Sequence, residues 1–282
     1  MKRSAEGYVL QPHYDDYLSR EAVKNQDERG YKTFHPSAFG GCLRKIALQY
    51  YGEIDPKYKE PVKFDPKSQR IFRAGHAHHF RMQEELSEMG ILRGCWKSKI
   101  TGKIYGRDSK TGIFMPQSLE EVGEEKHPDD KRELKEIFEY VEIKVENKEY
   151  NFSGHCDGII QLDPDNPDTM YIVDFKTMKF ERFEILARSG NIDNNYLTQI
   201  NIYMWILGVR KGLIFYEDKN THQIKEYEVF YDENLIEDIK RQAKTLLSFF
   251  EKKQLPKMPD QYEKNKKPCM YCGYKDVLCW KK

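Results

Sequence analysis

Two stretches decide the fold: G-H-C-D-G-I-I-Q-L at residues 154–162 and Y-I-V-D-F-K-T at residues 171–177. Each is rich in Ile, Val or aromatic residues and reads as a β-strand, and the D-P-D-N-P-D between them is turn chemistry of Asp, Asn and Pro. An antiparallel hairpin centred on Asp165 and Asn166 puts Asp157 opposite Asp174, with Lys176 two residues further along the same face. Like charges directly across a ladder repel, so a cation between the two carboxylates is the natural resolution. Two carboxylates and a lysine are what a metal-dependent phosphodiester cleaver requires.

The chain of 282 residues suffices for one large domain or two modest ones, with 39% hydrophobic and 33% charged residues, as in a charge-rich globular protein. No apolar run approaches the roughly 18–20 residues of a membrane span, and M-K-R-S-A-E-G-Y lacks the apolar region of a secretory signal. The expected compartment is therefore the cytoplasm, where cysteines serve as metal ligands more often than as disulfides. The net charge is only +1, so a polyanion must find a local basic patch. The nearest approach to a nucleotide-binding loop, T-G-K at residues 101–103, lacks both the loop and the Ser/Thr, which argues against a nucleotide cofactor.

Outward from the hairpin, Ser37 is a candidate N-cap for a helix over 38–51 that contains Cys42, Arg44 and Lys45. A second helix is expected over 68–89, with Phe72, Gly75, His79, Met82 and Leu86 on its inward face and His76 and His78 solvated. Gly75 there would let another backbone approach closely. Residues 91–115 and 137–152 alternate as strands, and 116–131 read as an exposed acidic excursion. Beyond the hairpin come a helix over 180–195 running into a loop, and a nearly all-apolar helix over 196–207 with Gln199 and Tyr203 one turn apart. In that helix the pair either serves the site or simply satisfies itself in the core. A strand pair (212–217 and 223–231) and an amphipathic helix over 232–254 complete this region.

The tail ends in C-M-Y-C-G-Y-K-D-V-L-C, in which Cys269, Cys272 and Cys279 form C-x2-C-x6-C. Three clustered cysteines imply a metal or cluster, and Cys42, set in a basic helical context, is the best fourth ligand. Cys95 and Cys156 have no partner at ligand spacing and read as structural. Four thiolates serve 4Fe–4S and Zn²⁺ alike, so the spacing leaves both open. Arg44, Lys45, Lys264, Lys266 and Lys267 are candidates for contacting nucleic acid. The expected organisation is an N-terminal helical region over 1–67, a core over 68–254 and a Cys-rich tail over 255–282.

Six features stand in one order: Cys42 in S-A-F-G-G-C-L-R-K, Gly75 to His79, Asp157 in G-H-C-D-G, D-F-K-T, Gln199 with Tyr203, and the terminal cysteines. In this the chain resembles the RecB-like branch of the PD-(D/E)XK nucleases, and within it the CRISPR-associated and phage exonucleases with a 4Fe–4S cluster. The resemblance departs at two points: Asp174 stands where Glu is commoner, and the last cysteine spacing is one residue longer than the usual five. It implies an α/β (α+β) restriction-endonuclease-like core, a mixed sheet flanked by helices, with the cluster joining the N-terminal helix to the tail. It also implies Mg²⁺ or Mn²⁺ on His79, Asp157, Asp174 and the Phe175 carbonyl, Lys176 at the attacking water, Gln199 and Tyr203 in support, and 4Fe–4S in preference to Zn²⁺. The implied activity is exonucleolytic hydrolysis of DNA at single-stranded ends, alongside recombination, replication or CRISPR-adaptation proteins. An endonuclease or branched-DNA nuclease of the same fold is the near alternative, and a DNA-binding or partner-docking module the alternative of another class.

Overall fold

The hairpin register is the one the turn chemistry dictates. In the computed structural model Gly158 pairs with Val173, Ile159 with Ile172, Ile160 with Tyr171 and Gln161 with Met170, and the ladder stops one residue short of Asp157. The structure describes residues 10–28, 30–60, 65–107, 115–124, 126, 130–258, 269–270 and 272–280.

In chain order the elements are α1 (Gln11–Glu28), α2 (Leu43–Gly52), α3 (Pro66–Glu88), β1 (Leu92–Arg93), β2 (Cys95–Ser98), β3 (Ile104–Tyr105), α4 (Leu119–Gly123) and α5 (Leu134–Ile137). There follow β4 (Phe138–Val141), β5 (Ile143–Asn147), β6 (Phe152–Cys156), β7 (Gly158–Gln161), β8 (Met170–Met178), α6 (Phe180–Ser189), α7 (Asn194–Leu207), β9 (Lys211–Asp218), β10 (Ile224–Phe230) and α8 (Glu233–Glu251). The contacts divide the chain into two units: 1–33, 42–77 and 248–282 form one, and 34–41 with 78–247 the other. N-terminal region and tail thus share a unit. No helix among the described residues is long and apolar enough to cross a membrane.

The second unit holds a five-stranded sheet in the order β1-β7-β8-β9-β10, parallel only between β8 and β9 and antiparallel elsewhere. A parallel pair needs a long crossover, supplied here by α6 and α7. The two sides of β8 pack differently: Ile172 joins Ile143, Ile159, Ile200 and Ile214 in the main core, while Val173 and Phe175 pack with Met82 and Ile160. Cutting any such buried aliphatic to Ala costs about 2–5 kcal/mol, so β8 is held firmly from both sides. A smaller sheet, β3-β2-β4, closes over Leu92, Trp96, Val122, Ile137 and Phe138. This corrects the reading of 116–131 as a simple exposed excursion: Ser118 and Glu121 form a capping box, and Val122 is fully buried.

In the first unit α2 starts at Leu43, later than the Ser37 cap implied. A 3₁₀ turn over Pro36–Ala38 comes first, and Cys42 is the N-cap of α2. Between them lies Gly40, where a Cβ would come within 2.5 Å of the Asn195 Cα, so only glycine fits there. Tyr50 stacks on Phe250 at 3.8 Å between ring centroids, and the Tyr51 hydroxyl donates to the carbonyls of Phe249 and Gln254.

Candidate metal and catalytic site

Asp157 breaks a strand. The stretch 154–162 is two strands, β6 pairing with β5 and β7 pairing with β1 and β8. At the break the Asp157 side chain turns toward β8, where its Oδ2 accepts the Phe175 backbone N–H at 2.8 Å. Its carbonyl accepts from Gln83 Nε2 at 2.8 Å. Gln83 is buried one helical turn beyond His79, so α3 fixes both the Asp157 backbone and the imidazole beside it.

His79 Nδ1 lies 3.5 Å from Asp157 Oδ1. Burial opposes charge on this imidazole, but the Asp157 carboxylate outweighs it and raises the pKa. Glu142, between β4 and β5, completes a group with His79 and Asp157 in which one donor atom from each lies within 4.8 Å of the others. Desolvation, and then the Asp157 charge, raise the Glu142 carboxyl. Sequence reasoning missed Glu142 and Gln83. Glu142 belongs to an alternating V-E-I-K-V whose acid reads as a solvent-facing position, whereas Gln83 was legible as the residue one turn after His79.

Asp174 is almost wholly buried, at 1% exposure, and burial pushes its carboxyl up to about 6 against the pull of Lys176. Lys176 Nζ lies 2.8 Å from Oδ1 and 2.7 Å from Oδ2. Only the first approach has hydrogen-bond direction, and Oδ2 has no such partner among the described residues. Lys176 also sits 4.8 Å above the Tyr196 ring. Burial works against its ammonium, but the Asp174 and Asp157 charges raise its pKa, so it is a firm cation. The structure thus brings His79 and Asp157 together with Glu142, while Asp174 is clasped by Lys176 outside that group. Phe175 enters through its N–H.

Gln199 and Tyr203 lie in the core. Gln199 Nε2 donates to the Tyr203 hydroxyl at 3.1 Å, and that hydroxyl donates to the His155 carbonyl at 2.7 Å, fastening α7 to β6. The pair satisfies itself. Two expectations for α3 are corrected. His78 is buried, its Nδ1 lying 3.1 Å from Arg81 and 3.4 Å from Glu217 Oε2, because that acid and guanidinium replace its water. A Cβ on Gly75 would meet nothing within 4 Å among the described residues, so none of their backbone approaches there.

In the first unit Cys42, the N-cap of α2, and Cys272 are half-buried thiols that burial raises, with smaller upward pushes from Cys272 and Cys269 on Cys42 and from Cys279 on Cys272. Burial is the main cause of the raised Cys42 thiol, with backbone N–H groups of Lys45 and Arg44 opposing it. Glu60 braces the tail by accepting from Gln49 Nε2 at 2.8 Å and from the Gly273 N–H at 3.3 Å. Lys45 pairs with Glu60 at 3.5 Å and Arg44 donates to the Pro256 carbonyl, so both cations have structural partners. Lys264, Lys266 and Lys267 lie outside the described residues. Cys95 and Cys156 are buried in the second unit, their thiols directed at the carbonyls of Gly106 and Gly158.

No family model and no curated protein matches the chain. Among solved structures, SSO0001 is similar over 96% of this chain and 98% of its own, at 15% identity and a TM-score of 0.50. An alkaline exonuclease (LHK-Exo) from Laribacter hongkongensis is similar over 45% of this chain and 61% of its own (16% identity, TM-score 0.34). A phage-related exonuclease from Haemophilus somnus 129PT is similar over 39% and 58% (18% identity, TM-score 0.27). The chain therefore spans about three fifths of these two exonucleases. What is shared with SSO0001 is fold: a mixed α+β arrangement whose central sheet is flanked by helices.

Proposed function

We propose that the chain is a divalent-metal-dependent DNA exonuclease that hydrolyses phosphodiester bonds at single-stranded ends. The observation that supports this best is His79, Glu142 and Asp157 converging beside the buried Asp174–Lys176 pair. One imidazole and two carboxylates suit a hard cation, Mg²⁺ or, with the nitrogen donor, Mn²⁺. The unsatisfied Oδ2 of Asp174 is a further acceptor for such an ion or for its water. A bound ion would polarise the scissile phosphate and lower the pKa of the attacking water.

The chain's own groups do the rest. Asp157 is oriented by the Phe175 N–H and by Gln83. Lys176, held by Asp174 and the Tyr196 ring, offers a preorganised ammonium where charge develops on the phosphate, or orients the water. Gln199 and Tyr203 act at a remove, by fixing α7 against β6. The Phe175 carbonyl remains a candidate ligand.

In the first unit, Cys42, Cys269, Cys272 and Cys279 are assigned to a 4Fe–4S cluster, with Zn²⁺ as the alternative, in a structural role. Binding energy at such a site becomes folding energy. Recombination, replication or CRISPR adaptation is the proposed setting.

The test is Mn²⁺-dependent degradation of end-labelled linear and circular single strands by wild type and Asp174→Asn. Digestion of the linear strand alone, lost in the variant, supports the reading. Equal digestion of circles makes the enzyme an endonuclease, and undiminished cleavage by the variant removes Asp174 from the site.

A further inference from the structure

We infer that the small sheet β3-β2-β4, with β5, forms the channel that leads a nucleic-acid strand to the metal site; this rests on the nuclease reading above. A groove of about 1420 Å³ runs along this part of the second unit, and one of its lining residues is Glu142, a member of the metal-binding group. Its size exceeds the roughly 300–1,000 Å³ of a small-molecule site, which suits a chain of nucleotides. Lys103, Arg107 and Lys144 line it together with Tyr105, over whose ring the Lys103 ammonium sits at 4.2 Å. Cations beside an aromatic face are the elements that hold single strands without reading their sequence.

The lining carries four carboxylates, Glu121, Glu124, Glu142 and Glu146, against its three cations, so a strand can be held only where a cation gives up its own partner to a phosphate. Arg93 pairs with Glu121 at 2.6 Å. Lys144 pairs with Glu146 at 3.3 Å with both side chains about half exposed, and so open an ion pair yields readily to a phosphate. Arg107 donates to the Lys144 carbonyl at 2.7 Å, which ties β5 to the loop after β3. Lys103 and Lys144 are assigned as the phosphate contacts, and Tyr105 as the stacking surface.

Binding of a fluorescein-labelled single-stranded oligonucleotide, measured in EDTA so that cleavage does not intervene, tests this by its salt dependence. Each single-strand phosphate contact contributes about 0.7 to the slope of log K against log salt, so Lys103→Ala with Lys144→Ala is expected to lower the slope by about 1.4. Photo-crosslinking with 5-iododeoxyuridine should yield a peptide containing Tyr105. An unchanged slope, or crosslinks confined to other regions, overturns the channel. Addition of Mn²⁺ to the same wild-type complex tests the nuclease reading separately: strand binding through Lys103 and Lys144 without cleavage would leave the channel standing and remove the enzyme.

Discussion

The Phe175 backbone N–H donates to Asp157 Oδ2 at 2.8 Å, joining the residue that interrupts one strand to the residue after Asp174 on the next. The bond sets the direction of the carboxylate. Asp157→Asn keeps an acceptor for that N–H and loses the charge, so it should fold normally, with a melting temperature near that of wild type, and lose Mn²⁺-dependent cleavage. Asp157→Ala leaves the buried N–H unsatisfied and should lose about 1–3 kcal/mol of stability as well, read from denaturant midpoints.

Glu142 is the exposed member of the metal group, so its removal disturbs little packing. Glu142→Gln should retain wild-type thermal stability in EDTA and weaken Mn²⁺ binding at least tenfold, equivalent to about 1.4 kcal/mol. Isothermal titration calorimetry with Mn²⁺ checks this, and unchanged affinity would exclude Glu142 from the ligand set.

Asp174 titrates near 6 in the fold against an ordinary 3.8 because it is buried. Between those values the native protein holds a proton that the unfolded chain has released, so in EDTA stability should fall as pH rises from about 4 to 6, by at most roughly 3 kcal/mol. The raised His79 adds the same sign at higher pH: its extra stability is present below the ordinary imidazole range and is lost as pH rises through the folded value. A divalent ion competes with both protons. Mn²⁺ should therefore raise the melting temperature more at pH 8 than at pH 5.5, as scanning calorimetry with and without EDTA would show; an equal shift at both would place the ion elsewhere.

Tyr203 separates support from chemistry. Tyr203→Phe deprives the partly buried His155 carbonyl of its donor and the buried Gln199 of its acceptor. It should cost about 1–3 kcal/mol in denaturant unfolding while Mn²⁺ affinity by calorimetry stays within about threefold of wild type. A large loss of metal affinity at unchanged stability would move Tyr203 into the site.

Cys272→Ser should yield a colourless protein that melts earlier and loses solubility, since it removes a ligand of the proposed cluster. Absorbance near 400 nm (roughly where thiolate-ligated iron–sulfur centres absorb), followed by metal analysis of anaerobically purified wild type, checks this. Zinc in place of iron would change the ligand and keep the four cysteines.

Much of this was legible in the sequence because its signals are local. The D-P-D-N-P-D turn fixes a register by counting, and Gly158 opposite Val173 bears it out. The elements 68–89, 196–207 and 232–254 stand close to α3, α7 and α8, because apolar periodicity reports burial directly. What escaped depends on distant partners. Glu142 reads as one more solvent-facing acid until folding sets it beside His79 and Asp157. His78 reads as solvated until Glu217 arrives from β9 to replace its water.

The partition of the chain has a consequence for its synthesis. The second unit is written almost entirely as one uninterrupted stretch, 78–247, whereas the first is stitched from three segments and waits for 248–282. Domains tend to fold as their residues leave the ribosome, so the hairpin acids and their lysine are in place while the earliest helices still lack their closing partner. If the proposed cluster closes the first unit, starving cells of its metal should leave a half-finished molecule, its sheet formed and its other half exposed to proteases.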